Sequence, residues 1–238
     1  MIIIVQARMN SERLPGKVLH QLGPKSVLEW VIRAARASDV GEVVIATSTN
    51  ATDDAIAALA VQTGTPCVRG SEGDVLQRFL TVLDHHPATA VVRLTGDCPL
   101  LDPVIIRTAA AAFSVAGVDY LSTNSPRTLP RGLDVEVVSV EALKEASSTA
   151  KGFDRAHVTS AIYRMPGKYR LAGLTFSPDA SNLRVTLDTS EDARLLAALV
   201  RLLPDRPPSW HEVVEVLRAH PGLISLNAHV QQKPLEEG

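Results

Sequence analysis

Apolar residues fall into short unbroken runs, separated by longer stretches in which they recur at helical spacing. Ile2-Ile3-Ile4-Val5 is a β-branched run of the kind found in strands covered on both faces, and such strands belong to parallel sheets. The chain is therefore expected to enter its fold in the interior of a sheet. Val43-Val44-Ile45-Ala46 and Ala90-Val91-Val92-Arg93-Leu94 repeat the pattern, and amphipathic stretches around Val27 to Ala37, Asp53 to Thr63 and Val75 to His85 alternate with them. The alternation predicts successive βα units.

Asp102-Pro103 supplies an N-cap and a proline at the first helical position, ahead of a helix to about Phe113, and Val118 to Ser122 follows as a strand. After Pro126 the texture changes. Pro126, Pro130, Gly132, Pro166, Gly167 and Pro178 punctuate shorter segments that include Val135 to Val138 and Leu183 to Leu187, which predicts a small β-rich insert on the sheet. Two helices, near Ser190 to Leu203 and Ser209 to Ala219, are split by the breaker Pro204-Asp205-Arg206-Pro207-Pro208. A polar tail after His229 is expected to fray. There is no repeat or long linker, so one domain over 1–228 is expected, with a first half (1–124), an elaborated region (125–189), C-terminal helices (190–228) and the tail (229–238).

Composition narrows the partners. A formal net charge of −2 gives no global field for nucleic acid or an acidic membrane, so anion binding has to be local. Cys67 and Cys98 are too few for a disulfide framework or a four-ligand zinc site, which suits a reducing compartment. Met1 leads into the first strand without a basic leader, and no run approaches the ~20 residues of a membrane helix. The expectation is a cytoplasmic protein without a membrane span.

Local positive charge appears directly after the first strand, in Gln6-Ala7-Arg8-Met9-Asn10-Ser11-Glu12-Arg13-Leu14-Pro15-Gly16-Lys17. Ligands of open parallel sheets bind at strand ends. Arg8 and Arg13 offer planar forks for phosphate oxygens, Lys17 a compact charge, and Ser11 with the loop amides further donors. Neither G-x-x-x-x-G-K-[ST] nor G-x-G-x-x-G occurs, so a P-loop reading and a nicotinamide-dependent oxidoreductase on a Rossmann-like sheet both lack their fingerprint.

Two acidic segments also fall at strand ends. In Arg93-Leu94-Thr95-Gly96-Asp97-Cys98-Pro99-Leu100-Leu101-Asp102, Asp97 suits a divalent cation beside a triphosphate, yet closing a turn after Gly96 is an ordinary use of aspartate too. Asp102 is read as a helix cap. Asp188, in Val185-Thr186-Leu187-Asp188-Thr189-Ser190-Glu191-Asp192, stands at a strand-to-helix junction where capping and metal ligation both fit.

The stretch Arg8 to Lys17 resembles the R-x-x-S-x-R-L-P-x-K signature of sugar-acid cytidylyltransferases, a family that includes the acylneuraminate and 3-deoxy-manno-octulosonate enzymes; the nearest branch looks like the spore coat polysaccharide biosynthesis protein F group. The resemblance runs from Ile2 to about Arg194 and includes the G-D-x-P-L and D-T-x-E-D motifs around Asp97 and Asp188. It implies a three-layer α/β/α nucleotidyltransferase fold with a mainly parallel central sheet and a small inserted acceptor and dimerisation region. It also implies Mg²⁺ held by Asp97 and Asp188, a triphosphate held by Arg8, Arg13 and Lys17, and a base bordered by the Ala7 and Arg8 backbone. Arg8, Lys17 and Asp97 would be the catalytic set.

Further segments match the same family. Val68 to Arg78 carries its G-S-x-x-D-V-L-x-R pattern, so Ser71, Asp74 and Arg78 are candidates for reading the base, although acids at a helix N-terminus suit the macrodipole without any ligand. Ala46-Thr47-Ser48-Thr49-Asn50 resembles a nucleotide-proximal segment but is left outside the site as a capping cluster. Pro130-Arg131-Gly132-Leu133-Asp134-Val135-Glu136 matches P-x-G-L-D-x-E and makes Arg131, Asp134 and Glu136 acceptor-side candidates. Asp154 to Thr159 resembles the R-E-H-V-T helix and adds Arg155 and His157, with Ala156 in place of the family's glutamate.

The expected activity is transfer of CMP from CTP to a sugar acid or related acceptor, for polysaccharide or glycoconjugate synthesis, by a homodimer. Two alternatives remain open: a nucleotidyltransferase acting on a sugar 1-phosphate or a phosphonate, and a nucleotide-binding protein without turnover.

Overall fold

The computed structural model describes residues 1–232. Along the chain, β1 (Ile2–Gln6) leads through the basic loop and a 3₁₀ turn (Lys17–Leu19) to a two-stranded ribbon, β2 (Gln21–Leu22) and β3 (Lys25–Ser26), and then α1 (Val27–Ala37). Next come β4 (Glu42–Ser48), α2 (Asp54–Gln62), β5 (Cys67–Gly70), α3 (Val75–His85), β6 (Ala90–Thr95), α4 (Pro103–Ala116) and β7 (Tyr120–Ser122). The second half contributes β8 (Glu136–Ser139), α5 (Val140–Ser147), α6 (Phe153–His157), α7 (Ser160–Tyr163), β9 (Leu171–Gly173), α8 (Ser190–Leu199), α9 (Trp210–Ala219) and α10 (Pro221–Ile224).

The central sheet has seven strands in the order β5-β4-β1-β6-β8-β7-β9. Only β8 runs against the others. β1 lies between β4 and β6, and Ile3, Ile4 and Val5 have no solvent exposure. That is why its apolar run is unbroken: both faces are covered. Ile3 and Val5 pack with α1, α4, α8 and α9 on one face, while Ile2 and Ile4 pack with α3, α5 and α7 on the other. The result is the expected three-layer α/β/α arrangement.

Local chemistry sets the boundaries. Ser26 and Glu29 form a capping box on α1, and Ser209 and Glu212 form one on α9. Asp102 caps α4 through the Val104 amide, and its other oxygen accepts from the Trp210 amide at 2.9 Å, so one buried carboxylate joins two helix starts.

The structure departs from the sequence reading in several places. β5 was not anticipated, because Cys-Val-Arg-Gly has too few apolar residues to announce a strand; it is an edge strand with every residue half-buried. Val135 to Val138 does not sit in an appended insert. As β8 it enters the main sheet between β6 and β7. Leu183 to Leu187 runs extended but makes only an isolated bridge, Arg131 to Arg184, since its other partners are loop backbone around Asp97. The tail is not frayed where it is described: Val230 bonds back to Asn227, and Gln231 and Gln232 touch Arg13 and Arg184. The rest of it, 233–238, lies outside the described residues. Among those residues, no helix is long and apolar enough to cross a membrane.

Replacing Asp102 with alanine removes a cap and orphans the Trp210 amide. The expected cost is about 1–3 kcal/mol, read as a lower urea midpoint with an unchanged slope.

Candidate active site

The carboxyl ends of β1 and β6 are adjacent in register, with Gln6 beside Thr95. The loops that leave them are therefore neighbours. The Gly96 amide donates to the Gln6 carbonyl at 2.8 Å, and a Cβ on Gly96 would stand 3.0 Å from that oxygen and from the Ala7 Cβ, so the turn comes this close because residue 96 has no side chain. Asp97 follows directly.

The basic loop is folded on itself. The Met9 carbonyl accepts from the Ser11 and Gly16 amides, and Gly16, at φ 74°, turns the chain into the 3₁₀ segment that begins with Lys17. A third strand end fixes the loop from outside: Asp53 accepts from the Met9 amide at 2.7 Å, from the Ser48 amide and hydroxyl, and from the Thr47 hydroxyl. Burial opposes the Asp53 charge, but these donors outweigh it and hold its carboxyl below the ordinary range.

Asp188 reaches the same place from the far end of the chain. The Leu187 amide and the Thr186 hydroxyl donate to the Asp97 carbonyl, which lays residues 186–188 alongside residue 97. Asp192, fully buried, accepts from the Asp188 and Thr189 amides, the Arg184 guanidinium and the Asn227 amide. Arg184 and Arg13 both contact Asp188, at 2.8 and 3.0 Å.

Lys17 closes the arrangement. Its Nζ donates to Asp97 Oδ2 at 2.5 Å and to Asp188 Oδ1 at 2.6 Å, with 13%, 21% and 13% of the three side chains exposed. Burial on its own would lower the Lys17 pKa, but the two carboxylates raise it above the usual lysine value. Burial likewise pushes Asp97 up, and the Lys17 charge, with hydrogen bonds from Lys17, Thr95 and Cys98, carries it down below the ordinary carboxylate range. The Cys98 thiol, buried beside Asp97, is raised well above its ordinary value.

These groups rim a cleft of about 330 Å³, which is also lined by Gln6, Ala7, Arg8, Ser11, Glu72, Gly73, Arg78 and His157. Thus Ala7, Arg8, Ser11, Arg13, Lys17, Arg78, Asp97, His157 and Asp188, all candidates from sequence, meet on one surface. The others do not line it. Ser71 and Asp74 receive the amides of Asp74 and Gln77, and Arg155 pairs with Asp74 at 2.5 Å, so these three staple α6 to the start of α3. Arg78 is 2% exposed and donates to the Ser71 and Glu72 carbonyls, shaping the cleft wall more than presenting charge. Asp134 pairs with Arg127, and Arg131 borders a separate cavity of about 160 Å³ behind Arg184. Glu136 corrects the sequence reading most clearly. It is 5% exposed, and both its oxygens are already engaged by protein donors, Arg93 on one and Tyr120 and Thr159 on the other. Its position in β8 puts it inside the sheet.

Sequence reasoning missed Asp53, Arg184 and Asp192. Asp192 is the final residue of the D-T-x-E-D motif, so its signal was present. Asp53 follows the Thr/Ser/Asn cluster that had been set aside as capping.

The two carboxylates fit a divalent cation. Hard oxygen donors suit Mg²⁺, which takes one or two protein carboxylates and fills its remaining positions with water and phosphate. Among the described residues no group of three or more His, Cys, Asp or Glu stands together as a metal cage. Asp97 and Asp188 already share one cation, the Lys17 ammonium.

A cleft at the carboxyl edge of a mainly parallel sheet, with cations from the first loop facing paired aspartates, defines a nucleotide-handling α/β enzyme. The sequence profile of the cytidylyltransferase family matches residues 2–233, and the chain belongs to that family and is a nucleotidyltransferase. It is 36% identical over 231 residues to the spore coat polysaccharide biosynthesis protein SpsF of Bacillus subtilis, covering 92% of this chain and 95% of that protein. It is 30% identical over 223 residues to a 3-deoxy-manno-octulosonate cytidylyltransferase of Mesorhizobium japonicum, covering 85% and 91%. The solved structure of a cytidylyltransferase from Leptospira borgpetersenii superposes with a TM-score of 0.90 at 28% identity, covering 98% of each chain. A CMP:2-keto-3-deoxy-manno-octonic acid synthetase complexed with CTP shares the fold at a TM-score of 0.63 and 17% identity, over 84% of this chain and 98% of that one.

Replacing Lys17 with methionine removes the cation that Asp97 shares with Asp188, leaving Arg13 and Arg184 on Asp188 alone. Carboxyl ¹³C titration should then find Asp97 above its wild-type value, as like charges favour protonation; an unchanged titration would contradict the ion-pair account. Asp53, whose folded pKa is depressed, stabilises the protein above its unfolded pKa, and that contribution is lost as pH falls through the folded value. Asp53→Asn should therefore be less stable at neutral pH and lose less on acidification below about pH 4, measured by thermal melts across pH.

Proposed function

We propose that the protein transfers CMP from CTP to a sugar acid or related sugar-like acceptor, releasing pyrophosphate, with Mg²⁺ held by Asp97 and Asp188. The observation that carries this reading is the buried Lys17 ammonium bridging those two aspartates on a cleft also lined by Arg8 and Arg13. When bound, Mg²⁺ supplies charge neutralisation at the phosphates. Asp97 and Asp188 would hold the metal, and Lys17 and Arg13 on the same cleft would pair with phosphate oxygens and stabilise charge on the departing pyrophosphate.

The acceptor's hydroxyl oxygen forms the new bond to the α-phosphorus, the bond from that phosphorus to the oxygen bridging to the β-phosphate breaks, and the hydroxyl proton passes to water. Positioning and electrostatics suffice for such a displacement, so no covalent enzyme intermediate is required. Arg8, Ser11 and the loop amides orient the triphosphate. His157, which lines the same cleft, is assigned to the acceptor side. The names of SpsF and of the octulosonate enzymes favour a sugar-acid acceptor and a role in polysaccharide synthesis. A homodimer in the cytoplasm completes the reading, with the dimer measured by light scattering.

The test is pyrophosphate release from each of CTP, UTP, ATP and GTP with Mg²⁺, against sugar acids, sugar 1-phosphates and phosphonates. CTP with a sugar acid should be the productive pair, and EDTA should abolish release. Lys17→Ala and Asp97→Asn should each lower kcat by about 10²–10³-fold, the scale of losing one charge-stabilising group. CTP binding without release for any acceptor would instead identify a nucleotide-binding protein.

A further inference from the structure

Gln6, the last residue of β1, was not among the candidates drawn from sequence, and the structure gives it an unusual setting. It lines the cleft that Thr95, its neighbour in register on β6, and His157 also line. Arg93, two residues before Thr95 on the neighbouring strand, donates from Nε to Gln6 Oε1 at 3.0 Å. An arginine side chain has donors only, so the atom facing it must be the amide oxygen, whichever way the amide is drawn.

Arg93 is itself held fast. Its guanidinium pairs with Glu136, whose other oxygen receives the Tyr120 and Thr159 hydroxyls, and 14% and 7% of the two charged side chains are exposed. Burial disfavours the Arg93 charge, but Glu136 outweighs it and keeps the guanidinium firmly protonated. The line Glu136, Arg93, Gln6 thus runs from inside the sheet to the cleft floor. The hydrogen bonds among the described residues use only the Oε1 of this amide, and the NH₂ end is left for the cleft.

We propose that Gln6 is a specificity-determining residue, its amide flip fixed by Arg93 so that Nε2 offers two donors to a hydrogen-bond acceptor on the bound substrate, either on the nucleoside of the donor or on the sugar acceptor. This rests on the cleft being the substrate site. Glu136 is a positioning residue that acts through Arg93, which accounts for an acid buried in β8 beneath the cleft.

Gln6→Glu tests the idea selectively, because a carboxylate still receives Arg93 but replaces both donors with an acceptor. The expected result is a rise of tenfold or more in the KM of one substrate, CTP or the acceptor, with the melting temperature little changed; whichever KM rises identifies the source. Gln6→Met, which abandons Arg93 as well, should raise the same KM. Glu136→Gln should raise it by a smaller factor while leaving the other KM alone. Wild-type KM values for both substrates in Gln6→Glu would overturn the proposal. If the wild type releases no pyrophosphate with any acceptor, the failure lies with the proposed reaction, and Gln6 is then read without turnover. Its side-chain amide ¹H–¹⁵N pair, assigned by its loss in Gln6→Glu, should shift on adding CTP with Mg²⁺ or 3-deoxy-manno-octulosonate. A pair unmoved by both would sink the assignment.

Discussion

One ammonium shared by two carboxylates organises this protein's site. Lys17 comes from the first loop, Asp97 from the end of β6, and Asp188 from the start of α8, so a contact within hydrogen-bond distance joins positions separated by up to 171 residues. None of the three groups could be buried alone without a large desolvation cost; together, each supplies the partner that keeps the others charged. The triad is thus a constraint on the fold as well as a candidate machine for chemistry, because every element that carries a member must arrive at one sheet edge.

The supporting residues follow from that requirement. Asp53 grips the Met9 amide, so the cationic loop leaves β1 in one conformation. Asp192 does the same at the other side, collecting two backbone amides, Arg184 and Asn227 around the start of α8. Both are buried acids satisfied almost wholly by hydrogen bonds from neutral groups or by one arginine, and both act on backbone. They set the geometry of the backbone from which Arg8 and Arg13 reach the cleft. A fixed acidic frame that holds the basic groups in place suits an anionic ligand.

The two faces of the sheet carry different duties. Toward α1, α4, α8 and α9 the core is mainly aliphatic, with Asp102 and Asp192 buried at its helix starts, whereas the opposite face contains the buried Arg93, Glu136, Tyr120 and Thr159 network. Polar groups are costly there unless fully paired, and these are paired. Val158, fully buried at φ 61°, adds a tight turn in which the Thr159 amide bonds the His157 carbonyl, ending α6 beside the cleft. A β-branched residue rarely adopts that conformation, and strain of this kind collects around binding sites.

Much of this was legible in the sequence. Apolar runs marked β1, β4 and β6 because burial on both faces leaves little room for alternation, and helical spacing placed α1, the Asp102-Pro103 cap the start of α4 and a proline breaker the start of α9. The cationic segment after β1 and the aspartates at two other strand ends were visible as charge where ligands bind, and their motifs gave the family. Tertiary structure alone decided the rest. β8 reads locally like any short strand, and only its pairing with β6 and β7 puts Glu136 inside the sheet, where its acid is spent on Arg93. The roles of Asp53, Asp74, Arg155 and Gln6 depend on contacts across 44, 81 or 87 positions. Side-chain type states which bonds a residue is able to make; which partner takes them is set by the distance the folded backbone leaves between the two.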